Sequence, residues 1–236
     1  MKSTRPRRID TSPAMTDHSG VGLTPRGRAA HARIVGAAAD LIYHRGLGNT
    51  TLRDVRAAAN VSGSQVTHYF RDKRALVRGV IAWRRDEMVG FHTTGPLARL
   101  DSFPALQDWA NLNVQKQIEL DCVGGCTLGS LVGELPRTDR DFRADVSAVY
   151  DEWIALFQTA LTAMRKRGEL RPDADPRHLA RVLVAAHQGG SLLAQTTRAV
   201  NPLRDALNAA VQYVCSFATE SATLPKRRPA ARRRAR

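Results

Sequence analysis

Thr51-Leu52-Arg53-Asp54-Val55-Arg56-Ala57-Ala58-Ala59-Asn60-Val61-Ser62-Gly63-Ser64-Gln65-Val66-Thr67-His68-Tyr69-Phe70 is the stretch whose reading decides the fold. Thr51 opens a short helix, and Asp54, three residues on, sits where a carboxylate favours the positive helix N-terminus. Leu52, Val55 and Ala59 recur on one face, so that face turns inward. Asn60 tolerates the left-handed backbone and stops the helix. Ser62 and Gln65 form Ser-x-x-Gln, a capping box that starts a second short helix running to about Tyr69. Two short helices across a tight turn spell helix-turn-helix. The same caps would also serve an ordinary helical hairpin within a core.

Upstream, Ile34, Ala38, Leu41 and Ile42 make the stripe of an amphipathic helix from about Arg26 to Arg45, with Gly46 as its cap. Downstream, the spacing predicts helices at about 73–91, 103–120, 127–135, 139–167, 176–197 and 202–219. Asp175-Pro176 and Asn201-Pro202 each put a capping side chain before a proline at the first helical position. No alternating strand pattern interrupts this, and aromatic residues are only 6% of the chain. The expected fold is all-α, a three-helix N-terminal domain plus a larger helical C-terminal domain. The expected division is an arm at 1–23, helix-turn-helix at 24–72, a second domain at 73–220 and a tail at 221–236.

With 236 residues, 43% hydrophobic and 25% charged, the chain has enough apolar surface for a globular fold, which excludes a disordered or collagen-like protein. No run reaches the ~18 to 20 apolar residues of a membrane span, and residues 1–23 carry charge where a signal peptide is apolar. The expected location is cytoplasmic, with no membrane partner. Net charge is +14, and its placement is uneven. Residues 24–80 hold ten Arg/Lys against Asp40, Asp54 and Asp72, and residues 224–236 hold seven Arg/Lys with no acid, while residues 81–223 are near neutral. The basic parts therefore call for a polyanion, nucleic acid ahead of acidic lipid. Arg5, Arg7 and Arg8 of the flexible arm are placed to touch a phosphate backbone or to be merely solvated; the Arg-rich tail is at most an electrostatic anchor.

On the second short helix, Ser62, Gly63, Ser64, Gln65, Thr67 and His68 face outward over the first turns, with Tyr69 just beyond. Gln65 is the base-reading candidate, since a carboxamide pairs bidentately with adenine, or else it only caps the helix. Thr51 and Arg53 reach phosphate or guanine from the first short helix, and Lys73 meets phosphate at the start of the next one. Together these ten residues are the expected contacts to double-stranded DNA.

The run from Thr50 to Val55 and from Asn60 to Leu76, with Tyr69-Phe70-Arg71-Asp72-Lys73-Arg74-Ala75-Leu76 at its end, resembles the DNA-binding domain of TetR/AcrR-family transcriptional regulators. That pattern decides against the core hairpin. Gly125-Cys126-Thr127-Leu128-Gly129-Ser130-Leu131 and Gln188-Gly189-Gly190-Ser191-Leu192-Leu193-Ala194-Gln195 are similar to the lincomycin-resistance-type repressors of that family. The resemblance implies a homodimer that enters successive major grooves of a palindromic operator and is released when a small molecule binds the C-terminal domain. Two positions depart from it: Thr67 stands where the family often has an aromatic residue, and Asn60 replaces the usual glycine.

For a ligand pocket, the candidates are Trp83, Phe91, Trp109, Asn113, Gln117, Trp153, Phe157, His187 and Gln188, apolar walls with a few mid-helix polar groups; the aromatics would equally serve a plain core. For a dimer interface, the candidates are two stripes, Leu179, Leu183, Ala186, Gly190 and Leu193 on one helix and Leu203, Leu207, Ala210 and Val214 on the next. They dimerise the chain through a four-helix bundle if they stay exposed, and build its own core if they do not. Cys122-x-x-x-Cys126 reads as a pair of small buried thiols, with a redox switch or half a metal site as alternatives. No catalytic motif, metal site or cofactor is expected. The expected function is a ligand-responsive repressor; the alternative is an architectural DNA binder that uses its basic ends on any sequence.

Overall fold

The computed structural model describes residues 22–136 and 138–220. The basic tail, and all but the last two residues of the basic arm, lie outside them. Among the described residues the chain forms nine α-helices: α1 (Pro25–Arg45), α2 (Leu52–Ala59), α3 (Gly63–Tyr69), α4 (Lys73–Thr93), α5 (Phe103–Glu119), α6 (Thr127–Glu134), α7 (Arg140–Lys166), α8 (Pro176–Thr197) and α9 (Asn201–Cys215), with one 3-10 turn at Gly95–Leu97. The chain divides into two compact units between Trp83 and Arg84. The division thus falls within α4, with the second unit starting at Arg84 where Lys73 was the expected start.

In the first unit the helix ends follow from local chemistry. Thr24 accepts the Gly27 N–H at 3.1 Å and Pro25 takes the first position of α1. Gly46, at φ 86°, closes the helix by donating to the Ile42 carbonyl. Ile34, Val35, Ala38, Ala39 and Ile42 are buried on one face, and α2 packs against α1. Asn60 is left-handed at φ 51°, as the turn requires. Phe70 is 4% exposed, and Gly79 lets α4 close on it, since a Cβ there would stand 3.0 Å from the Phe70 ring.

The second unit is built on α7, α8 and α9, with α5 against α9 and α6 against α8. Its core holds Leu106, Trp109, Phe157, Leu161, Met164, Leu179, Leu183, Leu203 and Leu207. Gly190 permits the close approach of α8 to α9: a Cβ there would lie 2.9 Å from the Leu203 Cα. Asp175 caps α8 as expected, accepting the Arg177 N–H at 2.9 Å. Asn201 does not cap α9. It is the first helical residue instead, and its carboxamide oxygen accepts from Arg204. The helix ends at Cys215, short of Thr219, because the chain turns back to pair Ala218 with Leu170 in an isolated bridge.

The stripes expected to dimerise require correction. Leu179, Leu183, Gly190, Leu203, Leu207, Ala210 and Val214 are buried within the one chain, and Ala186 is half-buried; Leu193 alone of that set is exposed, at 54%. Helical spacing identified an apolar face correctly, but its cover is the neighbouring helix. On α8 and α9 the large apolar groups left outside are Leu192, Leu193 and Tyr213; elsewhere among the described residues Ile118 and Val123 are also exposed. No helix among the described residues is long and apolar enough to cross a membrane.

Candidate nucleic-acid interface and interior cavity

Both short helices of the first unit start with complete capping boxes. Thr51 Oγ1 accepts the Asp54 N–H, and Asp54 Oδ2 accepts both the Thr51 N–H at 2.9 Å and its hydroxyl at 2.6 Å. That hydroxyl bond, with the backbone bond behind it, holds the Asp54 carboxyl below its ordinary range. At α3, Ser62 Oγ accepts the Gln65 N–H and Gln65 Oε1 accepts the Ser62 N–H at 3.0 Å. Only a carboxamide oxygen can accept that N–H, so the orientation of Gln65 is fixed. Its NH2 group is what remains to be offered outward. The bidentate pairing with adenine expected from the sequence needs the oxygen as well, and the cap holds it.

Thr51, Arg53, Ser62, Gly63, Ser64, Gln65, Thr67 and His68 are all exposed, and Tyr69 is half-buried against His31. Thr67 turns its hydroxyl back on the Gly63 and Ser64 carbonyls, leaving its methyl as the outward group. Lys73 is half-buried and donates to the Leu47 carbonyl at 2.7 Å. The sequence read Lys73 as a phosphate contact; its geometry also ties the start of α4 to the loop after α1. Asp72 caps that start by accepting the Ala75 N–H at 2.7 Å.

The second unit contains a cavity of about 410 Å³, a size suited to a small molecule. Met88, Phe91, Leu128 and Trp153 supply apolar wall, and Arg84, Glu87, Asn113, Lys116, Gln117, Cys126 and His187 supply polar wall. Of the residues expected to line a pocket, Phe91, Asn113, Gln117, Trp153 and His187 do so. Trp109 and Phe157 are fully buried behind them. Gln188 stands off the wall and donates to Cys126 Sγ at 3.3 Å. Trp83 belongs to the first unit, where its ring covers Gly36.

The sequence reading missed His92, whose position fixes the wall. Its Nδ1 lies 2.7 Å from the Met88 carbonyl, so that nitrogen carries the proton. Its Nε2 then accepts two indole N–H groups, from Trp109 and from Trp153, each at 3.0 Å. Burial lowers His92 to about 4. His187 is lowered further, to about 3, by burial and then by the charges of His92 and Lys116. Its Nε2 donates to Asn113 Oδ1 at 3.0 Å, because Asn113 uses its NH2 on the Trp109 carbonyl. That leaves His187 Nδ1 a bare acceptor with no partner, and Gln117 Oε1 is likewise unpartnered. The signal that would have found His92 is its spacing, four residues from Met88 on the cavity face of α4, but a histidine beside Phe91 reads equally as surface.

Cys126 is not the buried thiol expected. It is half-buried, caps α6 and lines the cavity, whereas Cys122 is buried, at 5% exposure. No group of three or more His, Cys, Asp or Glu is placed to hold a metal among the described residues. Arg84, 6% exposed, is paired with Glu87 at 2.6 Å, and Lys116 stands 5.8 Å from the centre of the Phe91 ring.

Comparison with known proteins places both units. Residues 34–80 match the family described as bacterial regulatory proteins, tetR family, and residues 97–210 match the tetracyclin repressor-like C-terminal domain. An uncharacterized HTH-type transcriptional regulator of Lactococcus lactis subsp. lactis is 28% identical over 187 residues, 75% of this chain and 88% of that protein. The transcriptional regulator AcuR of Cereibacter sphaeroides is 26% identical over 205 residues, 82% of this chain and 90% of the relative. A TetR-family regulator from Cytophaga hutchinsonii shares the fold, with a TM-score of 0.71 at 18% identity over 84% of this chain and 99% of its own. With one match over the helix-turn-helix and the other over the helical second unit, the chain belongs to the TetR family of DNA-binding transcriptional regulators.

Proposed function

We propose that this regulator is a homodimeric repressor that binds a palindromic operator through α3 and is released when a small, partly apolar effector enters the cavity of the second unit. The observation that carries the reading is the continuity of α4. It begins at Lys73 in the first unit, and its later turns supply Arg84, Glu87, Met88, Phe91 and His92 to the cavity wall in the second. A ligand that favours one placement of that helix shifts the population of dimers able to bind DNA, by as much as it prefers one state over the other.

On this reading the ten residues from Thr51 to Lys73 singled out above contact DNA. Gln65 gives its NH2 to an acceptor such as guanine O6 or thymine O4, and Arg53 takes phosphate or guanine. Phe91, Asn113, Gln117, Trp153 and His187 touch the effector, with Trp109, Phe157 and Gln188 supporting them. The exposed faces of α8 and α9, with Leu192, Leu193 and Tyr213, join two copies.

The test is selection of bound DNA from a random pool by the full chain at two salt concentrations. The expected product is one palindrome with half-sites about 34 to 36 Å apart. Unenriched DNA, with binding that collapses on removing residues 224–236, would overturn the reading in favour of an architectural binder. On the selected site, Lys73→Ala is expected to weaken all sequences alike and flatten the salt slope, while Gln65→Ala relaxes preference at particular base pairs.

A further inference from the structure

The helix α3 ties most of its outward polar groups to itself. Gln65 holds its oxygen on the Ser62 N–H, and the Ser62 and Ser64 hydroxyls bond each other at 2.9 Å. Thr67 turns its single hydroxyl proton back to its own helix, where the Gly63 carbonyl lies at 3.2 Å and the Ser64 carbonyl at 3.1 Å. A hydroxyl seated one turn back fixes the rotamer of a β-branched side chain. The Thr67 methyl is thereby held outward on an exposed residue. A second observation concerns the space in front of that methyl. A helical side chain covers the turn N-terminal to its own Cα, which for Thr67 is the turn opened by Gly63. Gly63 has no side chain, and the nearest atoms to its vacant Cβ position belong to Arg56, 3.8 and 4.0 Å away. A methyl two bonds from Cα meets a base only if the backbone comes close, and Gly63 and Ser64 are small enough to allow it.

We propose that Thr67 is a specificity-determining residue whose methyl reads the C5 methyl of a thymine in the major groove. This rests on reading α3 as the operator-binding helix. Thymine alone of the four bases carries an apolar group on its major-groove edge, and a threonine methyl packs against it. With its proton held by the Gly63 and Ser64 carbonyls, Thr67 offers no donor to a phosphate or to a purine. Its contact is therefore apolar, and it selects the base rather than the backbone. Cytosine in the same place presents no methyl and loses that contact.

The experiment uses the full-length chain on the duplex it recovers from a random pool. Each thymine is replaced in turn by deoxyuridine, at every equivalent position of the site, which removes the C5 methyl and keeps the pairing. Affinities are measured for three chains of equal far-ultraviolet helicity. These are the wild type, Thr67→Ser, which lacks the methyl but keeps the hydroxyl, and Thr67→Val, which presents a methyl whichever branch turns outward. At one thymine position the wild type is expected to lose about four-fold per half-site on deoxyuridine, the loss expected for one buried methyl. Thr67→Ser should start weaker by about the same four-fold per half-site and lose nothing more on deoxyuridine, so that the two deletions do not add. Thr67→Val should keep the discrimination. Equal losses for wild type and Thr67→Ser at every thymine, no loss at any, or a Thr67→Val chain that ignores deoxyuridine overturns the proposal. A recovered site with no fixed thymine does the same. Failure of the operator reading looks different. Unenriched DNA ends both, since α3 then reads no sequence. A thymine coupled to Thr67 within a non-palindromic site leaves Thr67 as the reader and ends only the palindrome.

Discussion

Lowering the pH from 7.5 to 5 should destabilise this protein by about 4 kcal/mol through two side chains, His92 and His187. Each is buried and neutral, and each is depressed from 6.5, to about 4 and about 3 respectively. The unfolded chain takes up a proton near pH 6.5 that the folded chain refuses. The stability these residues contribute is therefore complete above pH 6.5 and is lost as pH falls through that value toward the folded ones. At one pK unit per about 1.4 kcal/mol, the full penalties are about 3 and about 5 kcal/mol, and at pH 5 each has reached about 2. That is a large part of a domain's typical stability of about 5–15 kcal/mol. The carboxylates held low by hydrogen bonds, among them Asp54, Asp72 and Asp101, lose their contribution only as pH falls through 3.8 and below, outside this window. The assay is urea unfolding followed by far-ultraviolet circular dichroism at half-unit steps of pH. His31, in the first unit, is lowered in the same direction by burial, so the decisive quantity is a difference between variants. His187→Gln should reduce the pH 7.5-to-5 loss by about 2 kcal/mol. A variant that keeps the wild-type pH dependence, or a wild type that loses less than about 1 kcal/mol over the window, would refute the burial argument.

Gly190→Ala should destabilise by up to about 2 kcal/mol, because overpacking against the Leu203 backbone outweighs the gain in helix propensity. Gly133→Ala, with open space around it, should be neutral or stabilising in the same thermal melt, and equal effects would discount the close helix approach. Ser62→Ala should cost about 1 kcal/mol by removing one half of the α3 cap, with Ser62→Asp restoring it; no difference between the two would mean the cap is not what starts α3. Paired Leu192→Asp and Leu193→Asp should yield a helical monomer by sedimentation, whereas Leu183→Asp, at 0% exposure, should fail to fold. A dimer that survives the paired change would move the interface elsewhere.

The helix ends were legible because their signals are local. Thr51, Ser62 and Asp175 each satisfy N–H groups within three residues, so no tertiary knowledge was needed. Asn201 was misread for the same reason: Arg204, one turn on, competes for its oxygen. What one sequence does not carry is which neighbour covers an apolar stripe. Leu203, Leu207 and Val214 have the spacing of an interface and are the core of their own chain. The cavity was half legible. Asn113, Gln117 and His187 stood out as polar groups in mid-helix, yet His92 and Cys126 become visible only when α4, α5, α6 and α7 are brought together.

His92 also gives the molecule an optical handle. Two of its three tryptophans, Trp109 and Trp153, hand their indole hydrogens to one imidazole nitrogen at the cavity, and the third, Trp83, stands in the other unit against Gly36. Proton uptake by that nitrogen, or a guest that pulls Trp153 away, changes the surroundings of both indoles at once. A Trp83→Phe chain would then emit from the cavity alone, and its fluorescence would follow occupancy with no label attached.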